Sequence, residues 1–270
     1  MTQHFSVPSE HPKPTAAAET VMKRATPKPD IGKEAEQRQS WQDIPQLKLT
    51  DRRLARSKIV AATRSDPTYI AIDILRTRVM GMIRELGWKT LAITSPRGGC
   101  GKTTLTLNLA FSLARQSTFK VGVVDLDLRR PTVARRLNCQ HAGALEGFLQ
   151  GNRDLSQSLL RYGTNLVFAP NTVPVEKPAE LLDNCINGQA IATMRAALGL
   201  DLIVFDLPPM LAADDALVVL PAVDAMLLVA AAGESTISEI ESCERDLSQA
   251  KKLAGIVLNK CQYLPDRYGY

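Results

Sequence analysis

Ser95 to Thr104 reads SPRGGCGKTT. Gly101-Lys102-Thr103 matches the end of the phosphate-binding pattern G-x-x-x-x-G-K-[ST], but Pro96 stands where its first glycine belongs. The tight part of such a loop begins later, at Gly98. Gly98, Gly99 and Gly101 allow positive φ and turn backbone N–H groups inward, toward an anion cradle at a helix N-terminus. Lys102 would place its charge on the β- and γ-phosphates of a nucleotide, and the Thr103 hydroxyl would ligate Mg²⁺. Gly98, Gly99, Cys100, Gly101, Lys102, Thr103 and Thr104 therefore form the candidate nucleotide-binding segment. The plainer alternative is a glycine-rich turn that merely opens a helix. The flanks argue against it, because the apolar run TLAIT (Thr90 to Thr94) enters the loop and TTLTLNLAFSLAR leaves it.

Two further stretches carry carboxylates. VVDLDLRRP places Asp125 and Asp127 two residues apart, and on a strand such residues share a face. LIVFDLPP places Asp206 after four apolar residues, the form of a Walker B aspartate. Both stretches end strand-like runs, the edge where α/β proteins bind ligands. Three carboxylates buried together are costly without a cation; Mg²⁺ on nucleotide phosphates would supply it. For any one of them the alternative is a cap on the following helix.

These residues need a scaffold, and the pattern around them describes one. Six short apolar runs read as strands: Thr90 to Thr94, Val121 to Val124, Asn165 to Ala169, Leu202 to Phe205, Ala225 to Ala230 and Gly255 to Leu258. Several are apolar at every position, as strands buried on both faces are. Helical spacing lies between them, at Thr103 to Arg115, Gly188 to Leu198 and Ser235 to Leu253, and before the first strand from Tyr69. Alternating strands and helices predict an α/β fold, a doubly wound and mostly parallel sheet with helices on both faces, like a P-loop NTPase. Residues 1–50 carry Pro8, Pro12, Pro14, Pro27, Pro29 and Pro45 among polar residues and read as a disordered tail. Trp41 reads there as a linker residue, or alternatively as a docking contact. The sequence thus divides into a tail (1–50), a nucleotide-binding domain (51–262) and a short C-terminal segment (263–270).

Composition narrows the function. The 270 residues are 45% hydrophobic and carry a formal net charge of +5. No basic run interleaves with aromatics, so nucleic acid is not an expected partner. Five widely spaced cysteines without C-x-x-C argue against a disulfide framework or zinc site. Pro221 and Asp224 interrupt the most apolar stretch, Leu217 to Gly233, which is too short to span a bilayer. No signal peptide is evident.

RGGCGKTT, VVDLDLRRP and IVFDLPPMLAADDA together resemble the bacterial tyrosine kinases of capsule and exopolysaccharide synthesis, which belong to the deviant-Walker ATPases. D-x-D-x-R is the more specific part, since it resembles those kinases' second Walker-A-like box. The resemblance implies an ATP-dependent protein-tyrosine autokinase that regulates polysaccharide polymerisation or export. By position, Lys102 would bind phosphates, and Thr103, Asp127 and Asp206 would hold Mg²⁺. Asp125 would take the proton from the attacking tyrosine or aid metal placement. Arg129 would belong to the same box and Asn259 would contact the adenine. The implied partners are a membrane-bound polysaccharide co-polymerase as activator, further copies of this chain in a homo-oligomer, and a tyrosine phosphatase. The implied place is the cytoplasm, held at the inner face of the cell membrane through that partner.

Tyr263, Tyr268 and Tyr270 are three of the chain's five tyrosines and fall in its last eight residues. The resemblance makes them phosphoacceptors; the alternative is a chance grouping at a frayed terminus. Two departures bear on the branch. The kinases' E-x-x-R-x-x-R ring motif is met here by Ile70, Asp73 and Arg76, of which only the last matches. Arg97 stands where the partition ATPases carry a lysine that reaches across a dimer. The competing reading is therefore a positioning-type ATPase switch that dimerises with ATP.

Overall fold

The computed structural model describes residues 41–139, 144–150, 155–187 and 190–262. Helices α1 (Asp51–Arg56), α2 (Val60–Thr63) and α3 (Tyr69–Leu86) precede strand β1 (Thr90–Thr94). There follow α4 (Lys102–Ala114), β2 (Val121–Asp125), α5 (Val133–Leu137), α6 (Ala144–Leu149), α7 (Leu155–Ser158), β3 (Leu160–Tyr162) and β4 (Leu166–Ala169). The chain continues through α8 (Pro178–Asn187), α9 (Ala190–Leu198), β5 (Leu202–Asp206), α10 (Asp215–Val219), β6 (Ala225–Ala231), α11 (Ile237–Gln249) and β7 (Leu253–Asn259).

The strands form one sheet in the order β3-β4-β2-β5-β1-β6-β7, parallel except for β3 against β4. The period of two splits each central strand between two cores. Leu91, Ile93, Val121, Val123, Leu202, Val204, Leu227 and Val229 face one layer, with Val79 and Ile83 of α3 and Leu107 and Phe111 of α4. Ala92, Val124, Ile203, Phe205, Met226 and Leu228 face the other, with Met194 of α9 and Cys243 and Leu247 of α11. All six expected strands are present. The edge strand β3 was not expected, because three residues are too few to show a period. The helix expected from Tyr69 is present as α3, which buries Val79, Met80 and Ile83 and leaves Ile70 and Leu86 exposed.

The ordered domain also starts earlier than residue 51. Trp41–Asp43 form a 3₁₀ turn, and Trp41 Nε1 donates to the Leu198 carbonyl at 3.1 Å. The Lys120 ammonium stands 5.3 Å from the Trp41 ring centroid. Gln46 pairs with Arg161 of β3, and Ile44 and Leu47 are buried. A proline-rich composition hid this segment because only two of its residues enter the core. Ile44 is 1% exposed, so Ile44→Ala is expected to cost about 2–4 kcal/mol of unfolding free energy in a urea titration. A cost below about 0.5 kcal/mol would return this segment to the status of a tail.

Asn108 connects the leading helices to α4. It accepts from the Ala61 N–H at 3.0 Å and donates to the Lys58 and Thr104 carbonyls at 2.8 Å each. Among the described residues no helix is long and apolar enough to cross a membrane.

Candidate functional site

The site forms where β1, β2 and β5 end side by side. Gly99 and Gly101 turn the loop after β1 with φ of 91° and 94°. Gly101 is required by that φ, and a Cβ there would also displace the Asn259 amide. That amide closes the loop from the end of β7, donating to the Cys100 carbonyl at 2.9 Å. The Cys100 side chain is buried, 3.6 Å from Ser235 Oγ, so this residue offers the loop its backbone.

Lys102 and Thr103 open α4 and meet the carboxylates of the neighbouring strand ends. Lys102 Nζ donates to Asp127 Oδ2 at 2.6 Å and stands 3.8 Å from Asp206 Oδ1. Thr103 Oγ1 donates to Asp206 Oδ2 at 2.6 Å, and Thr132 Oγ1 donates to Thr103 Oγ1 at 2.9 Å. Asp125 and Asp206 are register partners on β2 and β5. β2 ends at Asp125, so Asp127 lies in the following loop and the shared-face argument does not place it. The Lys102 ammonium does.

Asp125 differs from Asp127 in what it faces. Its carboxylate is fully buried and accepts from the N–H groups of Thr132 and Val133, at 3.1 and 3.0 Å, at the start of α5. A third acceptance, from the Asp127 N–H, spans 3.3 Å. It thus serves as the cap that the sequence left open as an alternative, whereas Asp127 lines the pocket.

Burial sets the electrostatics. It pushes the Asp125 carboxyl well above the usual range, with Asp206 adding to the rise and the Val133 N–H and Lys102 opposing it. Burial likewise raises Asp206, against the pull of Lys102 and the Thr103 hydroxyl. Burial alone would lower the Lys102 ammonium, but Asp206 and Asp127 outweigh it and hold the group above its ordinary value. The lysine therefore stays charged and offsets part of the acidic cluster.

A pocket of about 440 Å³ opens beside this cluster, within the range that ligand sites occupy. Gly98, Gly99, Gly101, Lys102, Thr103, Thr104, Asp127 and Arg129 line it, so most of the expected site residues share one cavity. Arg129 is held at its rim by Asp215, with Nε and Nη2 donating at 2.6 and 3.0 Å. Asp215 itself is buried. Its role was not legible in LAADDA, because nothing local distinguishes it from Asp214. Arg130, Thr132, Arg135, Arg136, Pro208 and Pro209 are also in the lining, none of them an expected site residue. Asn259 stands behind the loop and Asp206 beneath it. Tyr263, Tyr268 and Tyr270 lie outside the described residues.

The donor set suits a hard dication. A hydroxyl and two carboxylates converge, and oxygen ligands are what Mg²⁺ takes. The inward-turned loop suits the phosphates that would accompany it.

The family model described as "ParA: NUBPL iron-transfer P-loop NTPase" matches residues 88–264. The tyrosine-protein kinase CpsD of Streptococcus pneumoniae serotype 4 is 32% identical over 184 residues, 67% of this chain and 80% of the relative. CpsD of Streptococcus agalactiae is 30% identical over 226 residues, 82% of this chain and 94% of the relative. Among solved structures, the kinase domain of the Escherichia coli tyrosine kinase ETK superposes with a TM-score of 0.68 at 27% identity, covering 87% of this chain and 90% of that domain.

Proposed function

Because this chain belongs to the bacterial tyrosine kinases, a branch of the ParA-type P-loop NTPases, we propose that it transfers the γ-phosphoryl group of ATP to tyrosines of its own C-terminal segment, and so regulates exopolysaccharide or capsule polymerisation or export. The observation that carries the reading is the joining of Lys102 to Asp127 and of Thr103 to Asp206 around one pocket. Phosphoryl transfer asks mainly for positioning and charge neutralisation, and this arrangement offers both.

In this reading the loop N–H groups from Gly98 to Thr104 hold the phosphates. Lys102 turns from Asp127 to the β- and γ-phosphates. Thr103, Asp127 and Asp206 would hold Mg²⁺. When bound, the metal neutralises charge on the phosphates. Asp127 faces the pocket and is the carboxylate that an acceptor hydroxyl can approach. Asp125, engaged by backbone N–H groups, positions the loop that carries Asp127, and through it would aid metal placement, the second of the two roles the resemblance implied. Arg129 stays at the rim through Asp215, and Asn259 borders the adenine. The partners are a membrane-bound co-polymerase that activates the kinase, further copies of this chain, and a tyrosine phosphatase. That co-polymerase holds the kinase at the inner face of the membrane.

The positioning-ATPase alternative needs residue 97 to reach a second copy's nucleotide. Arg97 instead pairs with Glu239 of its own chain. Incubation with Mg-ATP and phosphosite mapping by mass spectrometry is expected to place phosphate on Tyr263, Tyr268 and Tyr270. Replacing all three with Phe is expected to remove it. ATP turnover with no phosphotyrosine, even with the activating partner present, would sink the proposal in favour of the ATPase.

A further inference from the structure

A second feature adjoins the nucleotide pocket. Arg135 and Arg136 line that pocket and also an adjoining hollow of about 340 Å³, whose remaining wall includes Arg53 and Arg56 of α1. Those two arginines continue into a third hollow of about 290 Å³, with Lys48 and Arg52. The result is a groove of six cations running from the phosphate loop to α1. No carboxylate lines either outer hollow, and none of the six makes an ion pair among the described residues. The six exceed the chain's whole formal net charge of +5, so the rest of the sequence is net negative.

The groove is built rather than accidental. Arg53 Nε donates to the Arg136 carbonyl at 3.1 Å and its Nη2 donates to the Arg135 carbonyl. Ser57 Oγ donates to the Arg136 carbonyl at 2.6 Å. α1 is thereby fastened to the end of α5, which sets the guanidinium groups of two distant segments along one wall. Like charges held together without counterions are unfavourable unless an anion completes them. Five of the six are arginines, whose planar fork matches phosphate oxygens in pairs.

We propose that this groove is a phosphotyrosine-binding site, and that its occupant is segment 263–270 of this chain after phosphorylation. The proposal rests on the kinase reading for the origin of its ligand. Unphosphorylated, that segment has no net side-chain charge, since Asp266 and Arg267 cancel. Three phosphotyrosines would bring it to roughly −5, close to the charge of the groove. Recognition of phosphorylated segments by arginine clusters is a recurring mode. Continuity with the pocket where the phosphate is transferred favours the reaction's own product over a lipid surface. The bound segment would lie beside the active site and hold further acceptors away from it.

The test is fluorescence anisotropy with labelled synthetic peptides of residues 261–270, titrated with the dephosphorylated full chain. The peptides already carry or lack their phosphates, so the titration reads the groove whether or not this chain is the kinase. The triply phosphorylated peptide is expected to bind at least about tenfold more tightly than the unphosphorylated one, with affinity falling as salt rises. Arg52→Ser with Arg56→Ser should lower that affinity at least about tenfold and leave nucleotide affinity unchanged. Equal binding of the two peptides, or full binding by the double variant, would overturn the proposal. So would phosphopeptide binding that is absent while phosphatidylglycerol vesicles bind through Arg52 and Arg56, which would make the groove a lipid-facing surface.

Discussion

A Lys102→Met variant is expected to lose phosphoryl transfer to tyrosine by at least about a hundredfold, the scale of removing one charge-stabilising donor from a preorganised site. Met keeps the length and apolar stem but removes the only cation that the phosphate loop itself places among Asp125, Asp127 and Asp206. A second consequence separates this change from a simple binding defect. Both partners of the Lys102–Asp127 pair are largely buried, with side chains 10% and 7% exposed. Removing one partner of such a pair leaves the other uncompensated, at a cost of about 3 kcal/mol. The nucleotide-free variant should therefore unfold at lower urea near neutral pH. That deficit should shrink in acid, where Asp125 and Asp206, both raised by burial, take up protons, while the catalytic loss remains. Phosphotyrosine quantification together with urea titrations at two pH values checks both. Retention of more than about a tenth of the wild-type rate would remove Lys102 from the centre of the mechanism.

Asp206→Asn should act oppositely on stability while also abolishing transfer. Burial raises the Asp206 carboxyl above its ordinary 3.8. A group raised in this way binds its proton more tightly in the folded chain than in the unfolded one. Its stabilising contribution is fully present below the unfolded value and is lost as pH rises through the folded one. Asp125 behaves alike. The nucleotide-free wild type is therefore expected to lose stability as pH climbs from about 3.8 through the raised values. Asn at 206 carries no charge to bury. The Thr103 hydroxyl, which now donates to Asp206 Oδ2 at 2.6 Å, can still donate to the amide oxygen, while the amide NH2 on the Oδ1 side can donate to the Thr106 hydroxyl, which keeps its own bond to the Lys102 carbonyl at 2.9 Å. Lys102 keeps Asp127. The variant should gain on the order of 1 kcal/mol at neutral pH, with a flatter pH profile. Mg-ATP should stabilise wild type through binding to the folded state alone, and the variant much less, since one of the carboxylates proposed to hold the metal is gone. A variant less stable than wild type without nucleotide at neutral pH would mean that the carboxylate's bonds to Lys102 and Thr103 outweigh the cost of its burial.

The two variants together describe a site held under tension by its own acids. Lys102 is the internal counterion that makes the resting arrangement tolerable. Its proposed move to the nucleotide would leave Asp127 and Asp206 to be neutralised by the metal in its place.

What the sequence determined by itself lay in contiguous stretches. TLAIT, SPRGGCGKTT and the apolar run that follows hold strand, cradle and helix start in adjoining residues, and neighbouring residues suffice to specify them. The all-apolar runs declared a sheet buried on both faces for the same reason: the constraint acts on every residue of the strand. Tertiary structure alone decided what depended on residues far apart in the chain. Asp127 meets Lys102 across 25 positions and Thr103 meets Asp206 across 103. The division of labour between Asp125, spent on backbone N–H groups, and Asp127, held on the pocket wall by Lys102 and the Arg130 N–H, arises because β2 stops at Asp125. Arg129 found Asp215, Arg97 found Glu239, and Trp41 found the end of α9, each through packing that no local pattern encodes. The arginine groove is the clearest case. Its cations come from a segment that composition assigned partly to a tail and from a five-residue helix, and only the docking of α1 on α5 makes them one surface. Short-range sterics and burial periodicity are written residue by residue; charge constellations are long-range sums, and they exist only once the chain has folded.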